Sequence, residues 1–221
     1  MDQQNTIRNS TLLLSTIAGF CDTLTFVTSN EFSAHVTGNF IVFAYDIIKR
    51  ADSESWMKLL SFPVFVAAII LGGWVINKLS EKYSILIFEG IILVASGTIM
   101  LVIRYLNIDS IWFTNTVILL IVFAMGLQNA FGKRFSKDTY GPTTMMTGNV
   151  TQASLDLWEI VKDKFKNDAA LKSLKNLSYT IAGFLIGCLI GAVAGEFIGL
   201  SAAMLPGILL LVYPKKAIIT E

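Results

Sequence analysis

Six stretches of this 221-residue chain are each nearly free of charge and about as long as a bilayer is thick, and they limit the fold more than any other feature. They cover 9–30, 59–77, 83–103, 110–132, 176–195 and 197–214, and the only charged residues in them are Asp22 in the first and Glu89 in the third. About 20 residues of helix cross roughly 30 Å of hydrocarbon. A lone strand in lipid would leave its backbone polar groups unpaired at several kcal/mol apiece, so each stretch predicts a helix. The chain is therefore expected to be an all-α, polytopic membrane protein with about six transmembrane helices, forming a single integral membrane domain over 1–221. Composition agrees: 54% of residues are hydrophobic and 15% charged, against ~45–50% and ~25% in soluble domains.

The first stretch is read as a span rather than a secretory signal. Arg8 is the only base ahead of it, and Phe20 stands where a lipoprotein cleavage site requires a small residue. The net charge of +1 gives no electrostatic basis for nucleic-acid binding, so the basic residues serve better as a compass. With six spans and a cytoplasmic N-terminus, thirteen Lys and Arg lie inside, including Lys78, Lys82, Lys215 and Lys216. Lys49, Arg50, Lys58 and Arg104 lie outside, an imbalance that places both termini in the cytoplasm.

The second half echoes the first. Ala18-Gly19-Phe20-Cys21-Asp22 is answered by Met125-Gly126-Leu127-Gln128-Asn129, and Val36-Thr37-Gly38-Asn39 by Met146-Thr147-Gly148-Asn149. The same order of elements predicts internal repeats over 9–104 and 110–214. Each repeat holds three spans, an odd number, so the second copy enters from the opposite face, as in many secondary transporters. The segments 36–48 and 142–160 are short or polar for a crossing and are read as half-helices packed against protein. If both crossed, eight spans and parallel repeats would result, and the charge rule barely separates the two arrangements.

Asp22 is the most informative residue. It falls ~17 Å along its helix, near mid-bilayer, where a charged carboxylate costs ~2.5–3.5 kcal/mol on insertion scales. A proton- or cation-binding role facing a cavity offsets that cost, and so does a structural tie between helices; its repeat mate Asn129 cannot change charge. The Thr-Gly-Asn triplets can cap a half-helix start and turn a positive dipole end toward a solute, or serve as caps and packing alone. His35 is the only histidine, which rules out a multi-histidine metal site, and its expected role is loop capping. Glu89 is expected near enough to an interface to reach water. Cys21 and Cys188 are read as small hydrophobes. Gly183, Gly187, Gly191 and Gly195 recur every four residues, a spacing that suits close helix packing in lipid. The Lys-rich segment 161–177 is expected to be solvated near head groups. No P-loop, dinucleotide-binding signature, zinc spacing or nucleophile elbow is present, so the chain is not expected to be an enzyme or to need a cofactor.

Four motifs, Ala18-Gly19-Phe20-Cys21-Asp22, His35-Val36-Thr37-Gly38-Asn39, Gly126-Leu127-Gln128-Asn129-Ala130 and Met145-Met146-Thr147-Gly148-Asn149, together resemble the YoaK family. That is a group of small bacterial multi-pass membrane proteins carrying a domain of unknown function, and the resemblance covers nearly the whole chain. It implies about six spans in a bacterial cytoplasmic membrane and brings no established substrate. The expected pathway residues are Asp22, Thr37, Asn39, Gln128, Asn129, Thr147 and Asn149, with Gly38 and Gly148 at helix starts. The expected function is a small-solute transporter or channel, in one form proton-coupled through Asp22. The competing reading is a non-transporting scaffold or regulator. Expected partners are the lipid bilayer and a small molecule or ion, with homo-oligomerisation left open.

Overall fold

A computed structural model describes residues 3–49, 55–79, 83–108 and 110–219, with side chains up to 213. The described residues form eight α-helices and one 3-10 turn. They are α1 (Gln3–Ser29), α2 (Gly38–Lys49), α3 (Met57–Lys78), α4 (Ser84–Tyr105), α5 (Ile111–Arg134), α6 (Met146–Lys162), α7 (Asp168–Phe197), the turn Gly199–Ala203, and α8 (Met204–Ile219). Five of them, α1, α3, α4, α5 and α7, are long and apolar enough to cross a membrane. Of the basic residues used as a compass, Arg50 and Lys82 lie outside the described residues, as do the side chains of Lys215 and Lys216.

The stretch 197–214 differs from expectation. Instead of one straight helix, α7 runs on to Phe197 and Gly199 takes a φ of +71°, a left-handed conformation that glycine adopts without a Cβ penalty. A 3-10 turn and the shorter apolar α8 follow. The Lys-rich segment is divided rather than continuous: α6 ends at Lys162, Lys164 and Phe165 turn the chain at positive φ, and Asp168 opens α7. Asn167 caps that start by accepting the Ala170 N–H at 3.0 Å.

Glycines set the helix pairings. Gly183 lies against Leu12 and Ser15, Gly187 against Thr16, Gly191 against Phe20 and Gly195 against Val27, so α7 runs parallel to α1 in close backbone contact. Gly126 meets Phe65 and Ala68, and Gly72 meets Ala130, so α3 and α5 are also parallel. Gly90 faces Gly207 and Gly97 faces Met204, so α4 and α8 are antiparallel. Small residues permit such approach where no water is available to drive helices together. The core between α1, α4 and α5 holds Leu14, Ile17, Leu24, Leu93, Ile121 and Met125, each no more than 1% exposed.

The two short helices stay at the ends of this bundle. Asn39 at the start of α2 donates to Ser61 of α3, while Asp46 near its end pairs with Lys58 at the start of α3, so α2 leaves the bundle toward the end where α3 begins. The Asp46–Lys58 pair is buried at 2.6 Å, with Ser55 donating to the same carboxylate oxygen at 3.1 Å. Removing one member of a buried pair leaves the other charge uncompensated. Lys58→Met is therefore expected to cost about 3–5 kcal/mol, read as a fall in detergent melting temperature. Adding Asp46→Leu to it should restore much of the loss.

Candidate functional site

α1 ends in a sharp reversal. The Asn30 N–H donates to the Phe26 carbonyl at 2.8 Å with Asn30 at φ +55°, the left-handed helix end that Asn tolerates. Residues 31–37 then fold back along α1, which brings Ala34 and His35 to Asp22, about 10 Å before the helix end. Asp22 Oδ1 accepts the Ala34 N–H at 2.7 Å and the His35 N–H at 3.2 Å. Its Oδ2 lies 2.5 Å from His35 Nδ1. One carboxyl thus holds a loop backbone and a histidine ring together.

This pair is at the edge of a cavity of about 610 Å³. The walls are largely apolar, from Phe26 of α1, Phe32 of the loop, Ile41 and Val42 of α2, and Phe184 of α7. Thr37 and Gly38 line it as well, as does the free thiol Cys188. The His35 ring meets Phe184 edge-on at 5.7 Å and Phe32 at 6.4 Å. The hydrogen bond to Asp22 raises the His35 pKa above its ordinary value, against the opposing effect of burial. A raised histidine pKa stabilises the fold most below the unfolded value near 6.5, and that contribution fades as pH climbs through the folded value.

Asn39 has a different place. It is fully buried and makes a brace: its Oδ1 accepts the Phe32 N–H at 2.8 Å, and its Nδ2 donates to the Phe32 carbonyl and to Ser61, each at 2.8 Å.

Glu31, next in the same loop, is buried with one carboxyl oxygen unpaired. Burial pushes its pKa up to about 7, and the nearby Lys58 charge only partly offsets this. A carboxyl with a raised folded pKa favours the fold below the unfolded value of 4.5, and the advantage is lost as pH rises to about 7. Wild-type protein should therefore lose melting temperature between pH 5 and 8. In Glu31→Gln that slope should flatten, which parallel melts across the range would measure.

A second polar cluster occupies the corresponding part of the other half. Gln128 Nε2 donates to the Leu14 carbonyl at 2.8 Å and to Thr143 at 3.0 Å, and Asn129 Nδ2 donates to Thr144 at 2.9 Å. Gln128, Asn129, Thr143, Thr144 and Met145 line a cavity of about 280 Å³. Asn149 donates to the Pro142 carbonyl at 2.7 Å, seven residues back, the separation at which Asn39 reaches Phe32. Gly141, at φ +142°, brings the loop against Asn149. Thr147 and Gly148 are exposed at the start of α6, outside the cavities that the cluster lines.

The candidate residues therefore form two clusters. Leu14 marks the level of one and Asp22 the level of the other, eight residues or about 12 Å apart along α1. Ile17, Ala18 and Cys21 on α1 between those levels are buried in the packed core. Sequence reasoning read His35 as a loop residue without its contact to Asp22, and did not single out Thr143 and Thr144; each partner is 13 to 15 residues distant and is met only through a chain reversal. Glu89 departs from expectation too: it is 0% exposed, and neither carboxyl oxygen has a hydrogen-bond partner. It lies inside the bundle, within electrostatic reach of Cys21 on α1, rather than in water. Among the described residues no cluster of three or more His, Cys, Asp or Glu is placed to hold a metal ion.

The outer faces of the long helices carry Ile70, Trp74, Leu185, Leu189 and Val193, each more than half exposed. Apolar surface on that scale has no stable place in water. With Asp22 buried against a half-buried His35 and the two end-facing loops, this defines a multi-pass helical membrane protein. The chain belongs to the family described as protein of unknown function DUF1275, matched over residues 10–213, with which the YoaK-type resemblance is consistent. No curated protein and no solved structure matches the chain.

Proposed function

We propose that this protein is a small-solute transporter or channel in a bacterial cytoplasmic membrane, built from two inverted three-span repeats, with Asp22 and His35 as its proton-binding pair. The observation that carries this reading is the 610 Å³ cavity, an open and largely apolar cleft with a carboxyl and an imidazole in direct contact at its edge. An apolar pocket with a few convergent polar groups is the usual form of a small-molecule site. An intramembrane carboxyl usually faces a pathway. Both termini are placed in the cytoplasm, and no enzymatic step is assigned.

Helix directions support six crossings over eight. With eight, α4 and α8 would traverse in the same sense, whereas they pack antiparallel. With six, α1 with α7 and α3 with α5 run in common directions, as their glycine contacts require. The matching Asn39 and Asn149 braces support a duplicated loop and half-helix in each repeat.

The test is solute flux in proteoliposomes across a panel of metabolites and ions, with Asp22→Asn as the control. Flux that depends on pH and vanishes in the variant supports the proposal; absence of flux across the panel counts against it. The scaffold reading draws on one specific observation, that both Asp22 oxygens are already engaged within the loop. It requires that no solute raise the melting temperature.

A further inference from the structure

A third concavity lies away from the Asp22 cavity, at the end of the molecule where α1 and α7 both begin. Its volume is about 390 Å³, and Arg8, Tyr140, Lys172, Lys175, Asn176 and Tyr179 shape it. The parallel register of the two helices makes this grouping unavoidable. With Leu12 beside Gly183, the α1 turn that carries Arg8 lies beside the α7 turn that carries Tyr179. Lys172, Lys175 and Tyr179 follow at spacings of three and four, so they share one face of α7. Tyr140 is held over the opening by its backbone N–H, which donates to Thr11 at 2.9 Å, and its ring lies 6.2 Å from that of Tyr179.

The charge here is one-sided. Three cations line the cavity and, among the described residues, no carboxylate does. Neither described ion pair of the chain uses Arg8, Lys172 or Lys175. Because α1 and α7 are parallel, the positive ends of both helix dipoles lie at this end and add to the same potential. A neighbouring cavity of about 410 Å³ shares Tyr140, Lys172 and Asn176, so Lys172 stands between two concavities. The Tyr140 hydroxyl already donates to the Gln4 carbonyl at 3.3 Å, which leaves a guanidinium fork, two ammonium groups and the Tyr179 hydroxyl as a donor-rich set suited to a tetrahedral oxyanion, and basic pockets between membrane helices suit phosphate head groups.

We propose that this cavity is a binding site for a phosphate group, carried by an anionic phospholipid or by a soluble phosphate. The site is independent of the solute pathway, since none of its lining residues borders the Asp22 cavity.

The experiment uses the full purified chain in mild detergent. One arm adds phosphatidylglycerol or phosphatidylcholine of the same acyl composition and reads retained lipid by native mass spectrometry and the melting temperature. The other adds inorganic phosphate or chloride at equal ionic strength and reads the melting temperature alone. The variants are Arg8→Gln/Lys172→Gln/Lys175→Gln, the single Lys172→Gln at an exposed position, and Lys162→Gln/Lys166→Gln as a charge control outside the cavity. A preference for phosphatidylglycerol assigns the site to a lipid head group, and protection by inorganic phosphate assigns it to a soluble ligand. In either case the triple variant should bind at least about tenfold more weakly, Lys172→Gln should show a smaller loss, and the control should match wild type. The proposal is overturned if phosphatidylglycerol behaves as phosphatidylcholine and phosphate as chloride. It is equally overturned if the cavity variants respond as the control does; should the triple variant not fold, Lys172→Gln alone decides.

Discussion

Leucine at Gly187 is expected to reduce the yield of monodisperse protein in mild detergent by roughly fivefold or more, with a melting temperature lower by about 10 °C in what remains. A Cβ there would lie 2.1 Å from the Thr16 carbonyl oxygen, and the obstruction is backbone, which cannot rotate aside. At Gly191 the corresponding distance is 2.4 Å to the Phe20 carbonyl, and at Gly19 it is 2.2 Å to that of Phe184. The α1–α7 seam is therefore closed from both sides, and any side chain on it must push the helices apart. Gly73 supplies the control, because a Cβ there meets nothing within 4 Å. Gly73→Leu should leave both yield and melting temperature near wild type. Equal damage from the two substitutions would mean that contact at the seam does not explain the loss, since leucine is the better helix former at both positions.

Asp22→Asn should abolish pH-dependent flux, by about tenfold or more, while leaving the protein folded. The amide oxygen can still accept the Ala34 and His35 N–H groups, and the amide nitrogen can face His35 Nδ1 if the ring is the acceptor. What the amide cannot do is gain or lose a proton in the working pH range. Asp22→Ala makes the contrast. It leaves two backbone N–H groups without their acceptor, at about 1–3 kcal/mol each, so both stability and function should fall. Comparing melting temperature with flux across the two variants separates a proton-binding role from a structural tie. Flux that keeps its pH profile in Asp22→Asn would remove Asp22 from the coupling step.

Much of this architecture was legible because lipid forbids charge. The windows that became α3, α4 and α5 could be bounded within two residues, since Lys78, Arg104 and Lys133 punctuate their ends, whereas α1 begins six residues before its apolar window. The break at Gly199 was not legible, because apolar composition is the same for a straight helix and for two helices joined by a turn. The polar first two turns of α7 were missed for the opposite reason: a helix may begin outside the hydrocarbon, where hydropathy carries no signal. The Thr-Gly-Asn segments were recognisable as the starts of helices shorter than the spans. Their side-chain partners were not, because the reversal at Asn30 that carries His35 to Asp22 depends on one left-handed residue. The expectation from sequence was one polar site of Thr37, Asn39, Asn129, Thr147 and Asn149 where the repeats meet, coupled to Asp22. The structure instead divides them between two loops, with Asn39 and Asn149 as braces behind the cavities rather than as lining.

The account rests on those two loops entering from opposite faces of the membrane, and cysteine accessibility addresses it directly. Thr37→Cys, lining the larger cavity, and Met145→Cys, lining the smaller, would each be placed in a Cys188→Ala background; the remaining Cys21 is 0% exposed. A membrane-impermeant thiol reagent added to one side of sealed, uniformly oriented vesicles should modify one of the two cysteines and spare the other, with the pattern reversed from the other side. Modification of both from the same side would contradict inverted repeats and the paired half-sites built on them.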